Sequence, residues 1–279
     1  MQTTGLNRDT IDKFYTKDIV VQLCIQNIQQ YITIDYDIDV IIEPSAGNGS
    51  FIDSVSKLCS NCLFYDIQPE HTSIIKQDYL LLDHSQLPIP DLHSKYHIIG
   101  NPPFGRQSSL AIKFIKHSAE FCDSISFILP KSFKKNSMQK YFPQHFHLVY
   151  QCDLDSNSFI INNSEEKDVP CVFQIWEKKT YHRKIITKLE PNGFTFVKRE
   201  DNPDISFRRV GVYAGKIDMD NLHEKSIQSH YFIKFDDINI DKDEIITKLN
   251  TIIFPSNNTV GPKSISKQEI IKEFNDLLS

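Results

Sequence analysis

From residue 17 to 31, apolar side chains recur at Ile19, Val20, Leu23, Cys24 and Ile28, the three-and-four spacing of a helix with one buried stripe. Val40 to Ile42 is a short apolar run that breaks into Pro44, Gly47 and Gly49. It predicts a buried strand ending in a tight turn, with a helix beginning near Ser50. Leu63 to Tyr65 predicts a second strand ending at Asp66, and His71 to Lys76 a short third one ending at Asp78. Tyr96 to Ile99 is a fourth, stopped by Gly100 and by Pro102 and Pro103, whose rings cannot continue a central strand. Leu110, Ala111, Phe114, Ile115 and Ala119 then return to helical spacing, and Ser124 to Leu129 is a fifth strand closed by Pro130. His147 to Gln151 and Cys171 to Trp176 are two more, joined by a polar loop with no helix.

Strands alternating with helices imply an α/β fold: a Rossmann-like, seven-stranded, mostly parallel sheet covered on both faces, with the last two strands forming an antiparallel edge hairpin. A small C-terminal region follows. Beyond about residue 180 the elements become short and charged, and Asn192-Gly193 is a turn signal between two segments of strand character. Ile270, Ile271, Phe274, Leu277 and Leu278 predict an amphipathic helix over 267 to 278. The boundary falls between residues 179 and 180, leaving a first domain over 1–179 and a second region over 180–279.

A chain of 279 residues suits one sizeable core with a modest second lobe. The start, Met1 to Lys17, is polar, and no apolar run approaches the roughly 20 residues that span a bilayer. A soluble intracellular protein, in cytoplasm or nucleus, with no membrane partner is expected. Six scattered cysteines read as reduced core residues, and the lone Cys59/Cys62 CxxC offers only half of a tetrahedral zinc site, so no metal is expected. The net charge of -5 argues against a protein that coats DNA non-specifically. Local charge differs. Lys131, Lys134, Lys135 and Lys140 form one run without an acid, and five basic residues from Lys178 to Lys188 form another. Either run serves as a phosphate-facing patch or as a solvated face.

The segment Glu43-Pro44-Ser45-Ala46-Gly47-Asn48-Gly49-Ser50-Phe51 follows the first sheet strand, outside the carboxyl ends of the strands, where open parallel sheets bind ligands. It lacks the third glycine of the dinucleotide fingerprint. Asp66, ending the next strand, is placed to accept both hydroxyls of a ribose. Asp78, ending the third, could accept from an adenine amino group, with Tyr79 or Ile67 against the ring. The fourth strand ends in Asn101-Pro102-Pro103-Phe104. An amine conjugated to an aromatic ring is a poor nucleophile. A site accepting both its protons, on the Asn101 side-chain oxygen and the Pro102 carbonyl, draws the nitrogen toward tetrahedral geometry and frees its lone pair. Pro103 fixes the backbone, and Phe104 offers a stacking face.

On this quartet and the EPSAGNGSF loop the chain resembles the S-adenosylmethionine-dependent amino-methyltransferases with an NPPF or NPPY motif, which include DNA and RNA adenine-N6 enzymes. The resemblance runs over about residues 1 to 180. It implies S-adenosylmethionine as cofactor, held by Glu43, Pro44, Ser45, Ala46, Gly47, Asn48, Gly49 and Phe51, by Asp66 with Ile67, and by Asp78 with Tyr79. Asp12-Lys13-Phe14-Tyr15-Thr16 looks like the family's N-terminal segment, so Tyr15 and Thr16 join that set, with Asn101 at its edge. Asn101, Pro102, Pro103 and Phe104 would be catalytic. The order of parts matches the branch whose target-recognition region comes last, here 180–279. Relatives often carry an aromatic that clamps the flipped base; the corresponding loop, Asn162 to Asp168, has none, and Phe159 is the nearest candidate.

The implied substrate is adenine N6, in DNA before RNA. A glutamine amide in protein is a third substrate, and a non-catalytic nucleic-acid-binding subunit is the reading from another class. Nucleic acid is expected at Lys131, Lys134 and Lys135, and at Arg208 and Arg209 in the Gly-punctuated stretch 206 to 216. The reading leaves room for a partner subunit.

Overall fold

The structure is a computed structural model that describes residues 14–89, 91–161, 165–184, 187–237, 241–254 and 263–278. The chain divides into two compact units, Met1–Ile185 and Ile186–Ser279.

The first unit runs β1 (Tyr15–Thr16), α1 (Asp18–Tyr31), β2 (Val40–Glu43), α2 (Ile52–Val55), β3 (Asn61–Asp66), β4 (Ile75–Lys76) and β5 (Tyr96–Gly100). It continues through α3 (Ser109–Ala119), β6 (Ser124–Pro130), α4 (Asn136–Gln139), β7 (Phe146–Asp153), β8 (Phe159–Ile161), β9 (Glu165–Lys167) and β10 (Cys171–Lys178). Seven strands form one sheet in the order β4-β3-β2-β5-β6-β10-β7. All neighbours are parallel except β10, which runs antiparallel to both β6 and β7. The expected seven-stranded sheet and edge hairpin are both present.

Alternation along the strands sorts the core onto two faces. Ile41, Ile99, Ile128, Phe173 and Ile175 meet α1 and α2 on one side, while Val40, Ile42, Ile98, Phe127 and Leu129 meet α3 on the other. Each such side chain contributes roughly 1.5–3 kcal/mol on burial. The α1 stripe is rotated from the expected one. Val20, Val21, Cys24, Ile25 and Ile28 face the core, whereas Ile19 is 77% exposed. The segment between β7 and β10 also departs from a plain polar loop. Its β8 pairs with β1 and with β9 in a separate three-stranded sheet, joining Tyr15 to Ile160 and Thr16 to Phe159.

At the amino end of the sheet, His97 Nδ1 lies 2.7 Å from Ser124 Oγ and its Nε2 lies 3.2 Å from Asp39 Oδ2. This serine–histidine–aspartate set is structural. All three residues are almost wholly buried, and they tie the starts of β5 and β6 to the residue before β2. Burial lowers the His97 pKa against the pull of Asp39, so the ring stays neutral.

In the second unit, β11 (Phe194–Val197), β12 (Ile205–Arg208), β13 (Ile217–Asp218) and β14 (His230–Phe235) form a sheet in the order β11-β14-β12-β13. It shares a core with α5 (Lys242–Leu249) and α6 (Lys267–Leu278), in which Phe194 and Phe207 meet Phe274. α6 is the expected amphipathic helix, opened by a reciprocal cap between Ser266 and Glu269. The Asn192-Gly193 turn leads into β11, with Gly193 at φ 78°. Residues 187–191 before it form no strand, and β11 pairs instead with β14. Among the described residues no helix is long and apolar enough to cross a membrane.

Candidate active site

The loop after β2 is fastened to both neighbouring strand ends. Ala46 N donates to the Tyr65 carbonyl (2.9 Å), Gly47 N to Asp66 Oδ2 (2.8 Å), and Ser45 Oγ to the Asn101 carbonyl (3.2 Å). Gly47 adopts φ 54°, and a Cβ there would stand 3.4 Å from the Tyr15 ring. Tyr15 is in turn tethered across the loop. Its hydroxyl donates to Glu70 Oε1 (2.6 Å) while Glu70 N donates to the Gly47 carbonyl (3.0 Å). Burial and then Glu70 push the Tyr15 pKa up to about 12.

A cavity of about 240 Å³ opens at this end of the sheet. Twelve of the residues expected at the site line it: Tyr15, Pro44, Ser45, Gly47, Asp66, Ile67, Asp78, Tyr79 and the quartet Asn101 to Phe104. Thr16, Glu43, Ala46, Asn48, Gly49 and Phe51 do not. Phe51 and Ala46 are core residues, Asn48 turns the loop by accepting from Ser50, and Thr16 lies behind Asn101. Asp12 and Lys13 lie outside the described residues.

Glu43 sits beneath the cavity, 2% exposed, and its Oε2 has no hydrogen-bond partner. Desolvation, then the charge of Asp66, holds its pKa well above the usual carboxylate range. Gly100 makes room for it: at φ 147°, a Cβ on residue 100 would come within 3.1 Å of Glu43 Cγ. Asp66, part of the lining, accepts from Gly47 N and Gln68 N, one bond on each oxygen, which fixes the orientation of its carboxylate. Asp78 caps the following turn by accepting from Leu80 N (3.0 Å). Tyr79 is committed to the core, its hydroxyl 2.9 Å from Ser118 Oγ and its ring stacked on Phe114, so Ile67, 49% exposed, is the side chain free to cover a ring.

Asn101 is held from behind. Its Nδ2 donates to the Phe14 carbonyl (3.2 Å) and to Thr16 Oγ1 (3.3 Å). Among the described residues nothing donates to Asn101 Oδ1 or to the Pro102 carbonyl. The Phe104 carbonyl accepts from Leu110 N and Ala111 N, which anchors the quartet to the start of α3. Phe14, Gln68, Leu80, Leu110 and Phe114 complete the lining beyond the expected set. Phe14 stands beside Tyr15 in the segment already singled out; the others carry no sequence signal apart from position.

Among the described residues no cation lines the cavity, and its carboxylates suit hydroxyl groups and positive charge. A pyrophosphate finds little here, since the Gly47 amide is already given to Asp66.

Other residues expected at the site fall elsewhere. Phe159 is fully buried and packs edge-on against Phe14, so it clamps no ligand; Asn162 to Ser164 of the same loop lie outside the described residues. Lys131 and Lys134 both pair with Asp153, at 3.0 and 2.8 Å. In the second basic run, Lys179 pairs with Glu177, and Arg183 donates to the carbonyls of Gln139, Phe142, Pro143 and Phe146 while lying over the Trp176 ring. Arg208 Nε donates to the Val210 carbonyl, and Arg209 to Gln228 O and the Tyr231 hydroxyl. All six cysteines are free; Cys59 and Cys62 donate to the Asp39 and Cys59 carbonyls.

No protein-family model matches the chain, and no curated protein matches it. Solved structures do resemble it. A protein from Pyrococcus horikoshii proposed to be an RNA methyltransferase is 14% identical with a TM-score of 0.46, over 60% of this chain and 88% of that one. A type I restriction-modification system methyltransferase subunit from Streptococcus thermophilus is 14% identical with a TM-score of 0.45, over 62% of this chain; the match spans 46% of that subunit. The 23S rRNA methyltransferase ErmE is 12% identical with a TM-score of 0.43, over 60% and 71% of the two chains.

Proposed function

We propose that the first unit is an S-adenosylmethionine-dependent methyltransferase acting on the exocyclic N6 amine of adenine in nucleic acid, with DNA as the first candidate. The observation that carries this reading is the orientation of Asn101. With Nδ2 donating to Phe14 and Thr16, Oδ1 is left as an acceptor at the cavity, next to the Pro102 carbonyl and the Phe104 ring.

The residues fit the cofactor. Asp66 presents two oriented oxygens for ribose hydroxyls, Asp78 and Ile67 flank a purine, and Tyr15 closes over Gly47. The unpartnered Glu43 oxygen lies behind the lining with its charged form disfavoured, so it would answer the α-ammonium by ionising as the cofactor binds. S-adenosylmethionine, when bound, supplies an electrophilic sulfonium methyl. The chain's part is to accept the two protons of the target amine on Asn101 Oδ1 and the Pro102 carbonyl, directing the nitrogen lone pair forward. Phe104 supports the flat base, which must leave its stack to reach the cavity. No side chain needs to act as a strong base, because the nitrogen loses its proton only after its charge has formed.

DNA is placed first because a second compact unit follows the catalytic one, the order of the family branch whose recognition region comes last. The test is incubation with radiolabelled S-adenosylmethionine and separate pools of duplex DNA, single-stranded DNA, structured RNA and protein extract. Label recovered as N6-methyladenine supports the reading and identifies the polymer; label in glutamine of the protein pool alone overturns it.

A further inference from the structure

Most cations of the first unit's basic runs already have partners: Lys131 and Lys134 on Asp153, Lys179 on Glu177, Arg183 on main-chain carbonyls. The second unit is different. A cleft of about 330 Å³ opens where β11 ends, lined in part by Phe196, Lys198, Tyr231 and Lys267. β14 pairs with β11 only from Phe232 to Phe235, which leaves its Tyr231 end facing the cleft. Phe196 and Tyr231 are both partly exposed and meet edge to face, 5.7 Å between ring centres.

The Lys267 ammonium lies over both rings, 4.5 Å from the centre of Phe196 and 5.6 Å from that of Tyr231. The Arg209 guanidinium, outside the cleft lining, lies 5.2 Å from the Tyr231 ring centre. Ring faces position a cation without cancelling its charge, unlike a carboxylate. Among the described residues, neither Lys198, Lys267 nor Arg209 has a carboxylate partner. The one carboxylate of the lining, Glu200, is answered by Arg199 at 3.2 Å, so Lys198 and Lys267 stay uncompensated beside two aromatic rings, which matches the two halves of a nucleotide, its phosphate and its flat base. An acidic peptide would use the cations and leave the rings idle.

We infer that this cleft of the second unit holds a single-stranded stretch of nucleic acid, with phosphates on Lys198 and Lys267 and a base against Phe196 and Tyr231. The choice of ligand rests on the proposed function; the site itself rests on the cleft. It assigns polymer binding to Lys198 and Lys267, which the sequence did not single out.

Binding of a fluorescein-labelled single-stranded oligonucleotide to the full chain, followed by anisotropy over a salt series, tests the inference. Lys198→Gln with Lys267→Gln should flatten the slope of log affinity against log salt by about 1.4, ~0.7 for each phosphate no longer neutralised on a single strand. Phe196→Leu, which removes the ring and keeps an apolar side chain, should weaken binding at least about fivefold, the low end of one base–aromatic stack. Calorimetry with S-adenosylmethionine should give the same cofactor affinity in all variants, and thermal unfolding matching that of the parent chain confirms that the second unit folds. Unchanged oligonucleotide affinity and slope in the variants, no binding by the parent chain, or equal competition by poly-glutamate would each overturn it. If the parent chain binds no S-adenosylmethionine yet the variants lose oligonucleotide, the methyltransferase reading fails and the cleft stands.

Discussion

The side-chain nitrogen of Asn101 donates to the main-chain carbonyl of Phe14, 3.2 Å away and 87 residues earlier in the chain. The end of β5 and the N-terminal strand are thereby joined at the point where chemistry is proposed. An amide free to rotate would present nitrogen or oxygen to the cavity; this one presents oxygen.

The second anchor of that amide, Thr16 Oγ1, is separable from it. Thr16→Val keeps shape and removes the acceptor at 3.3 Å. Methyl transfer should slow by about fivefold, the ~1 kcal/mol of one hydrogen bond, with KM for the polymer unchanged. A rate equal to that of the parent chain would show that Phe14 alone sets the orientation.

Glu43 should destabilise the ligand-free protein and assist the bound one. Its folded pKa is raised, so the folded state holds a proton that the unfolded chain releases above about pH 4.3. Stability from this group is therefore complete below that value and lost as pH rises through the folded pKa. Glu43→Gln should raise the ligand-free Tm at neutral pH by about 2–4 °C, roughly 1 kcal/mol for a unit of this size. It should also weaken S-adenosylmethionine by at least about tenfold in calorimetry, the loss of one charged hydrogen bond. A lower Tm together with unchanged cofactor affinity would contradict both roles.

His97 predicts acid sensitivity of the opposite sign. Its folded pKa is lowered, chiefly by burial, so its contribution is present above the unfolded value of about 6.5 and lost as pH falls through the folded one. Asp39 is lowered as well. Its burial acts the other way, but hydrogen bonds from Asp35 N, Lys95 N and His97 outweigh it, so its own loss comes only below about pH 3.9. Urea unfolding at about pH 7.5 and about pH 5 should show a fall in stability for the parent chain that His97→Gln flattens.

The sheet was legible from sequence because its central strands are continuous apolar runs ended by Pro130, by Pro102 and Pro103, or by a glycine turn. The three-stranded sheet of β1, β8 and β9 was not, since pairing Tyr15 with Ile160 leaves no local pattern in either segment. The helix over 18 to 31 was legible as a helix and misread by part of a turn, because Val21 and Ile25 were needed to fix its buried face. The cavity-lining aspartates and the NPPF quartet followed from their places at strand ends. The pairing of Lys131 and Lys134 with Asp153 was not legible, because Asp153 lies on a different strand.

Arg183 illustrates the same lesson and can be tested alone. It belongs to a basic run, yet its guanidinium satisfies four carbonyls around α4 and covers Trp176. Arg183→Ala should lower Tm by about 4–8 °C, corresponding to ~2 kcal/mol. Oligonucleotide affinity, measured below the unfolding range, should be unchanged; a loss of affinity with Tm unaltered would return Arg183 to the nucleic-acid surface.

The most direct measurement is single-turnover methyl transfer by Asn101→Ala on whichever polymer the parent chain labels, alongside its S-adenosylmethionine affinity. Loss of the positioned acceptor should slow transfer by about 10²- to 10³-fold while cofactor affinity changes far less. Transfer within a few-fold of the parent rate would mean that Asn101 does not hold the target amine, and the account of the site would be wrong.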